Sequence, residues 1–407
     1  MINIDIKRIL QLTKNNIHIY STFLTHMENI LLHNEHIKLY KRKNSKFWQM
    51  RIKPPKEKAI RESTGCKSLK DAKEIATRKY YTLSNEKKYI QLNSESNHLY
   101  KNKHLLGIKD LSKSEIEYIL EYAQQFIEFN KQKIKKDNIL EGKSIFNVFF
   151  EDSTRTRTSF EIAAKRLGAD LINVSVKDSS INKGETLLDT IVTIGSMDPD
   201  LLVIRHPEYG VSEMISKTIN ASVINAGDGS HEHPTQALLD ALTIKNKIGN
   251  FENLKIAICG DILHSRVARS NIYLLKKLGA KINVVGPKTL IPDEISKLGV
   301  SLYYDMKNGL KNCNIVMMLR IQKERILGIH IPSEKDYFND FGLNFEKLKY
   351  ANKNALVMHP GPMNRGVEID SKVADDVTRS LIQDQVSMGV AIRMACLKIL
   401  TDNKDKL

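Results

Sequence analysis

Apolar and polar positions alternate with two different periods along most of the chain. Between Ile116 and Ile127, apolar residues recur at spacings of three and four, which predicts a helix that begins near Ser112 or Ser114. The stretch 145–150 instead reads IFNVFF, a short apolar run of strand length. Strand-length runs and helical segments then follow one another in turn, so the pattern predicts an alternating α/β chain.

The predicted elements continue almost to the end of the sequence. Strand candidates lie at 145–150, 170–176, 200–205, 254–261, 280–287, 314–319 and 354–360. Helix candidates lie at 157–168, 185–196, 233–249 and 265–279, with a final apolar helix at about 386–401. Such alternation is typical of βαβ units and parallel sheets. We therefore predict an α/β fold with two doubly wound parallel-sheet domains, a crevice between them, and a small basic N-terminal α+β extension.

The domain boundaries follow from a change in pattern near residue 97. The stretch 91–98, QLNSESNH, is polar and lacks periodic apolar residues, which is typical of a linker. We predict a basic extension and linker at 1–97, a first α/β domain at 98–240 and a second at 241–385. The remaining residues, 386–407, are predicted to form a helix that packs back on the first α/β domain.

The composition excludes several classes of protein. The chain has 407 residues, 41% of them apolar, which is enough for two ordinary domains. No apolar run approaches the roughly 18 residues of a membrane span. The N-terminus lacks the pattern of a secretory signal, so we expect a soluble, cytoplasmic protein. The four cysteines lie far apart and form no C-x-x-C, which argues against a disulfide framework and a zinc site.

The positive charge is concentrated in the N-terminal quarter. Residues 1–100 hold 20 Lys and Arg against 9 Asp and Glu, so they carry +11 of the net charge of +16. A basic segment suggests a polyanionic partner. Because the whole chain is rich in Lys, Ile and Asn, this charge alone is weak evidence for nucleic-acid binding.

The first candidate site follows the predicted strand at 145–150. The motif EDSTRTR at 151–157 places Ser153 and Thr154 at the start of a helix, where free backbone N–H groups and the helix dipole favour an anion. Arg155 and Arg157 add fork-shaped donors suited to phosphate or carboxylate. The motif predicts an oxyanion site, most simply for phosphate. The alternative is an ordinary capped helix with a solvated arginine face.

Other predicted strand ends carry matching polar groups. In an α/β fold these ends face one ligand crevice. The groups are Arg205, His233 and Gln236 in the first domain and Arg266, Arg320 and Gln322 in the second. A neutral imidazole or a glutamine amide can donate to a carbonyl oxygen that gains negative charge during attack. The two arginines of the second domain suit a dicarboxylate.

Two other motifs are rejected. The stretch ICGDILHSR at 258–266 begins like a dinucleotide-binding turn but lacks the second and third glycines of G-x-G-x-x-G. The stretch HNEH at 33–36 has metal-like spacing without a partner cluster, and a surface helix explains it more simply. We therefore expect neither a nicotinamide cofactor nor a bound metal.

Six motifs in order along residues 103–405 resemble the aspartate carbamoyltransferase catalytic-chain family. They are FFEDSTRTRTSFE, SSINKGETLLDT, RHPEYG, NAGDGSHEHPTQALLD, LRIQKER and MHPGPMNRGVEI. The related ornithine carbamoyltransferases typically have H-P-C-Q and H-C-L-P, whereas this chain has H-P-T-Q and H-P-G-P. The resemblance therefore implies condensation of carbamoyl phosphate with L-aspartate, a step of pyrimidine (UMP) synthesis, without a cofactor.

The resemblance also implies roles for individual residues. Those implied to bind carbamoyl phosphate are Ser153, Thr154, Arg155, Thr156, Arg205, His233, Gln236 and the backbone carbonyls of Gly361 and Pro362. A loop from a neighbouring subunit is implied to add Ser179 and Lys183. Those implied to bind aspartate are Lys183, Arg266, Arg320 and Gln322. The catalytic set is Arg155, Thr156, Arg205, His233 and Lys183. The family's usual leucine before the second proline of the last motif is Gly361 here.

The shared loop implies a homotrimer with shared active sites. A regulatory chain or a dihydroorotase as further partner, and the identity of the proton acceptor, are left open. Two alternative functions are an ornithine carbamoyltransferase and a DNA-binding regulator on an inactive transferase scaffold. Intact Arg155, Lys183, His233 and Arg320 argue against the regulator.

The N-terminal extension has a weaker resemblance of its own. Residues 38–85 alternate apolar or aromatic with basic positions before a helix near Ser68, similar to the arm-type DNA-binding domain of phage integrases. That domain is a three-stranded sheet followed by a helix. The resemblance implies nucleic-acid binding, and the alternative is a basic, solvated appendage.

Overall fold

The structure is a computed structural model. It describes residues 30–32, 36–42, 45–53, 58–73, 75–76, 79–80, 100–175, 185–322 and 333–404. The chain divides into two compact units, Met1–Asn97 and His98–Leu407.

The first unit contains a four-stranded antiparallel sheet. Its strands are β1 (Ile30–Leu32), β2 (Ile37–Lys41), β3 (Trp48–Ile52) and β4 (Ile60–Ser63), in that spatial order. Helical residues at 69–73, 75–76 and 79–80 follow. The core contains Ile37, Leu39, Trp48, Met50, Ile52, Ala72 and Ala76. The sheet has one strand more than the integrase resemblance implies, because β1 pairs with β2. Of the stretch 33–36, for which a surface helix was expected, residues 33–35 lie outside the described residues, so that expectation stays a prediction.

The second unit begins with a lobe built on a parallel sheet. Its strands are β5 (Ser144–Phe149), β6 (Asp170–Ser175), β7 (Leu201–His206) and β8 (Ser222–Asp228), in the order β6-β5-β7-β8. Its helices are α1 (Lys113–Phe129), α2 (Thr154–Leu167), α3 (Leu187–Gly195), α4 (Val211–Thr218) and α5 (Pro234–Ile248). Apolar residues from β5, β7, β8, α3 and α4 form one core cluster of the lobe.

A second parallel sheet forms the other lobe. Its strands are β9 (Lys255–Cys259), β10 (Lys281–Val285), β11 (Ser301–Tyr303), β12 (Ile315–Met318) and β13 (Leu356–Met358), in the order β11-β10-β9-β12-β13. Its helices are α6 (Arg266–Lys277), α7 (Met306–Gly309), α8 (Glu334–Phe341), α9 (Phe345–Leu348) and α10 (Ser371–Ala374). Two 3-10 segments, Lys288–Leu290 and Asp293–Leu298, lie between β10 and β11. The predicted α/β fold with two parallel sheets is confirmed.

The last helix, α11 (Ile382–Lys404), returns to the first lobe and packs on α1, α2 and α5. It begins before the expected residue 386, and α5 runs through the expected division at 240/241 to Ile248. The lobes therefore divide in the connection between α5 and β9. No helix among the described residues is long and apolar enough to cross a membrane.

Local sequence explains the ends of several helices. Ser112 caps α1, and Glu115 closes the reciprocal pair of a capping box. Gly168 ends α2 in the left-handed conformation, at φ 83°.

The sequence pattern did not predict two of the strands. β8 carries Asn225 and Gly227 and does not read as an apolar run, and β11 has only three residues.

Each sheet reverses its strand order once, and the predicted site residues lie at both reversals. In the first lobe β5 lies between β6 and β7, and in the second β9 lies between β10 and β12. Ligands of open α/β sheets bind beyond the carboxyl ends of such strands. Ser153 follows β5 at the start of α2, Arg205 lies at the end of β7, and Arg320 follows β12. The fold thereby positions the candidate site.

Candidate active site

The start of α2 forms the predicted anion site. Ser153 is the N-cap residue, yet its side chain makes no capping hydrogen bond, and the first turn contains no acidic residue. The N–H groups of this turn are left for another acceptor. Thr154 and Arg155 are exposed at the first two helical positions, and Thr156 is buried behind them. This arrangement suits a phosphate group.

Arg155 also contacts the second lobe. Gly361 follows β13 with φ +64°, and a Cβ built on it would lie 1.2 Å from Nη1 of Arg155. The guanidinium group therefore lies directly against the Gly361 backbone. The Gly361–Pro362 peptide is cis. Two separately predicted parts of the site are thus brought together: the anion site at residues 153–156, called the cradle below, and residues 359–362, called the glycine loop below.

Glu151 binds two of the predicted arginines. Nε of Arg205 donates to its carboxylate at 3.0 Å. Arg266, the first residue of α6 in the second lobe, donates from both terminal nitrogens at 2.9 Å. A Cβ on Gly227 would lie 2.6 Å from Arg266 and 3.1 Å from Arg205, so a glycine is needed where both guanidinium groups approach β8. One carboxylate thus joins a carbamoyl phosphate candidate to an aspartate candidate.

His233 is buried and uncharged at the start of α5. Its backbone N–H donates to Ser270 Oγ at 2.9 Å, and Pro234 follows as the first helical residue. Burial lowers the pKa of His233 well below its usual value, and the charges of Arg205, Arg393 and Arg266 lower it further. Its Nδ1 has no hydrogen-bond partner among the described residues. A neutral imidazole is therefore available to a ligand.

Gln236 lies on the first turn of α5 and is buried. Its Nε2 donates to the carboxylate of Asp240, one turn later, at 2.9 Å. The amide of Gln236 is therefore anchored on its nitrogen side. The carbonyl oxygen is the group left to face a ligand.

Two of the residues predicted to bind aspartate, Arg320 and Gln322, lie beyond β12. The backbone N–H of Gln322 donates to Asp261 at 3.2 Å, and its side-chain amide donates to the carbonyl of His264 at 3.0 Å. Arg320 is half-buried two residues before it. Burial lowers the pKa of His359, the hydrogen bond and charge of Glu368 raise it, and the charges of Arg155 and Arg320 lower it.

Ser179 and Lys183 lie outside the described residues. Of the other predicted site residues, Arg155 meets Gly361 across the two lobes, and Arg205 and Arg266 meet through Glu151. Sequence reasoning missed Glu151 and Asp240 as parts of the site. Each had a signal: Glu151 stands at the first position of EDSTRTR, and Asp240 stands four residues after Gln236 on the same helix.

Comparison with family models then identifies both lobes. Residues 103–246 match the aspartate/ornithine carbamoyltransferase carbamoyl-P binding domain. Residues 252–400 match the Asp/Orn binding domain of the same family. The chain belongs to the aspartate/ornithine carbamoyltransferase family. The site residues that lie at the two reversals of strand order are therefore distributed over both domains of this family.

Individual relatives place the chain near the aspartate branch of the family. The aspartate carbamoyltransferase catalytic subunit of Pelagibacter ubique is 56% identical over 300 residues, 74% of this chain and 96% of the relative. That of Parvibaculum lavamentivorans is 57% identical over 305 residues, 75% of this chain and 93% of the relative.

Solved structures of the family agree. Aspartate transcarbamoylase from Trypanosoma cruzi in complex with carbamoyl phosphate and aspartate superposes with a TM-score of 0.65 at 32% identity. The match covers 73% of this chain and 96% of that one. Its complex with carbamoyl aspartate and phosphate gives a TM-score of 0.66 at 32% identity, over 73% and 95% of the two chains.

Proposed function

We propose that the chain transfers the carbamoyl group of carbamoyl phosphate to L-aspartate, giving N-carbamoyl-L-aspartate and phosphate. The observation that carries this proposal is the contact of Arg155, at the anion-binding start of α2, with Gly361 of the opposite lobe. This contact supports a phosphate site on one lobe that faces the second lobe, which carries the predicted groups for an amino-acid substrate. The names of the relatives support the same reaction, and the predicted cytoplasmic location belongs to this proposal.

The site supports a mechanism of positioning and electrostatic stabilisation. The amine of aspartate attacks the carbonyl carbon, a tetrahedral intermediate forms, and the C–O bond to phosphate breaks. Arg155 and the N-terminal N–H groups of α2 stabilise the charge that develops on the leaving phosphate. Neutral His233 donates to the carbonyl oxygen as it becomes negative. The amine proton leaves with the departing phosphate in this scheme, so no covalent enzyme intermediate is required.

The cations of the second lobe favour aspartate over ornithine. Aspartate presents two carboxylates, and Arg266 and Arg320 are guanidinium donors on the second-lobe side of the site. The side chain of ornithine would instead bring a third positive charge to this cluster.

A product assay tests the function directly. The full chain is incubated with 13C-carbamoyl phosphate and either L-aspartate or L-ornithine, and NMR follows the products. We expect carbamoyl aspartate and phosphate in equal amounts, and no citrulline. Citrulline as the main product, or no turnover with either amine, would overturn the proposal.

The homotrimer with shared sites remains part of this proposal. Leu188 and Val192 lie one turn apart on α3 and are exposed, and Met197 is exposed just after the helix. These residues flank the loop that holds Ser179 and Lys183 in the sequence, and an exposed apolar patch favours a second copy as partner. Inactive Lys183→Ala and Arg155→Ala chains, mixed after dissociation, should regain activity. Absence of recovery in a mixture that reassembles would refute shared sites.

A second candidate function concerns the N-terminal sheet. Lys38 pairs with Arg51, and Arg51 pairs with Arg61, so three cations stand side by side across β2, β3 and β4. Like charges in directly opposed positions destabilise a sheet unless an anion neutralises them. Neighbouring Leu39 and Met50 point into the core, so the row faces away from it. We infer that this row binds the phosphates of duplex DNA.

Anisotropy of a labelled duplex tests this second function. Trp48 lies in the core, on the face opposite the cations, so its own fluorescence is only an indirect reporter. We expect Arg51→Ser/Arg61→Ser to weaken binding and to reduce its salt dependence, and Lys67→Ser to leave both unchanged. Equal binding by all three proteins would exclude the row as a DNA contact.

A further inference from the structure

Asp240 is a buried carboxylate surrounded by three amide side chains. It lies on α5 and is fully buried. Gln236 and Gln385 donate to its Oδ1 at 2.9 and 2.7 Å. Asn271 donates to its Oδ2 at 2.8 Å. Both oxygens therefore act as acceptors, which is the arrangement expected around an ionised carboxylate.

The three amides come from different parts of the unit. Gln236 lies on α5 of the first lobe, Asn271 on α6 of the second lobe, and Gln385 on the C-terminal helix α11. Asp240 is thus a junction between the two lobes and the helix that returns across them. A junction with fixed donors holds each amide in one orientation, because amide nitrogens and oxygens are not interchangeable there.

The junction continues to the glycine loop. Oε1 of Gln385 accepts from the backbone N–H of His359 at 3.0 Å. Nδ1 of His359 accepts from the backbone N–H of Gly361 at 2.8 Å. One carboxylate therefore supports two groups of the proposed carbamoyl site, Gln236 directly and the backbone at Gly361 through Gln385 and His359.

Burial and the surrounding donors shift the pKa of Asp240 in opposite directions. Burial raises the pKa of Asp240 to about 6, against the hydrogen bonds of its three amides and the charge of Arg393, which lower it. Arg393 lies on α11 and is itself buried, with its guanidinium over the ring of Phe160. At pH 7.5 the carboxylate form predominates, and it is the form that accepts all three hydrogen bonds.

We propose that Asp240 is a positioning residue that orients the carbamoyl subsite. By binding Nε2 of Gln236, it leaves the amide oxygen of Gln236 to accept from the NH2 of the carbamoyl group. Among the described residues, the phosphate cradle at α2 meets this junction at Gly361, where Arg155 lies three hydrogen bonds away from Asp240 through Gln385 and His359. The inference rests on the proposed function, and it separates recognition of the carbamoyl group from recognition of phosphate.

The test compares two ligands of the full-length protein. Inorganic phosphate occupies only the cradle, whereas phosphonoacetamide adds the amide group of the substrate. Calorimetry gives the Kd of each ligand at pH 7.5 for wild type, Asp240→Asn, Gln236→Ala and the double variant. We expect Asp240→Asn to weaken phosphonoacetamide about tenfold, as for one lost hydrogen bond, with less than about twofold change for phosphate. The double variant should bind phosphonoacetamide no more weakly than Gln236→Ala.

A control variant and a substitute for Asp240→Asn separate positioning from folding. Asp200→Asn removes a carboxylate that binds Ser144 at the opposite, amino-terminal end of the sheet. It should lower Tm and change neither Kd. If Asp240→Asn does not fold, Gln385→Met replaces one amide by an apolar side chain of similar size. This variant should also weaken phosphonoacetamide more than phosphate.

The outcomes distinguish the inference from the function on which it rests. If wild type binds phosphonoacetamide no more tightly than phosphate, the proposed carbamoyl site is wrong. If wild type prefers phosphonoacetamide and Asp240→Asn retains that preference, Asp240 does not orient the subsite. Equal weakening of both ligands would also overturn the inference, because it would indicate a general loss of structure.

Discussion

The arginines of the candidate site fall into two groups that differ in their partners. Arg155 is exposed at the start of α2, and no described carboxylate hydrogen-bonds to it. Arg205 and Arg266 are largely buried and already bind Glu151. A phosphate can therefore bind Arg155 without displacing a protein group. Three of the five N–H donors of Arg266 remain for a substrate carboxylate while Glu151 holds the guanidinium group in place, so this second group is oriented in advance by a protein carboxylate.

The largest effect is expected at Arg155, which has no carboxylate partner among the described residues. Arg155→Ala should lower kcat by about 10²–10³, because it removes a charged donor to the leaving phosphate. Lys165→Ala is the matched control, because exposed Lys165 lies on the same helix and pairs only with half-buried Glu161 among the described residues. Steady-state kinetics should show less than about twofold change for the control. Near-normal turnover of Arg155→Ala would contradict the role of the cradle.

Removing the negative charge of Glu151, which binds Arg205 and Arg266, should have the next largest effect. Glu151→Gln leaves Arg205 and Arg266 without their shared counter-charge, so both lose their fixed orientation. We expect kcat/KM for aspartate to fall about 30-fold, which corresponds to about 2 kcal/mol. Glu161→Gln, which removes a half-buried carboxylate on α2 that binds Lys165 and Asn173, should leave this ratio unchanged. An unchanged ratio for Glu151→Gln would show that the cluster does not position the amino-acid site.

A smaller effect is expected at the contact between Arg155 and the glycine loop. Gly361→Ala should displace the guanidinium group, because the added Cβ would lie 1.2 Å from Nη1. Gly366→Ala is the matched control: its φ is +80°, and nothing lies within 4 Å of its Cβ position. Both variants should lose about 1 kcal/mol of stability. Only Gly361→Ala should lose turnover, by about tenfold. Equal kinetics would show that the contact does not matter.

The smallest effect is a pH dependence of stability. The pKa of His233 is lowered in the folded state by burial, so below its ordinary value the unfolded chain binds a proton that the folded chain does not. Stability should therefore fall as pH falls below about 6.5, by up to about 1.4 kcal/mol per pH unit. His233→Gln should show a weaker loss of Tm between pH 7.5 and 5.5 than wild type. Equal losses would show that His233 ionises freely in the folded protein.

The sequence predicted much of this arrangement because local patterns determine it. Apolar runs such as 145–150 predicted the buried strands. The helix-capping residues and arginines of EDSTRTR predicted the anion site. β8 was missed because its buried polar residues are satisfied only in the fold, where Asn225 donates to the carbonyl of Leu106 and to Asp228. Its polarity hid it from a search for apolar runs.

The partners of the site residues lay beyond the reach of sequence reasoning. Glu151 and Arg266 are 115 residues apart, and Gln385 and Asp240 are 145 apart. Nothing in local spacing links such pairs, since the first meets only when the two lobes pack and the second only when α11 packs on α5. The same is true of Gly361, whose departure from the family's usual leucine acquires meaning once Arg155 is seen against it.

The most direct test is a crystal structure of this chain with N-(phosphonacetyl)-L-aspartate, which joins a phosphonate to an aspartate. The account predicts the phosphonate at the start of α2 within hydrogen-bond distance of Arg155. It also predicts an aspartate carboxylate on Arg266 while Glu151 keeps its bond to that guanidinium group. A phosphonate bound away from Arg155, or an aspartate carboxylate that displaces Glu151 from Arg266, would contradict the distinction between Arg155 and the two arginines that Glu151 orients.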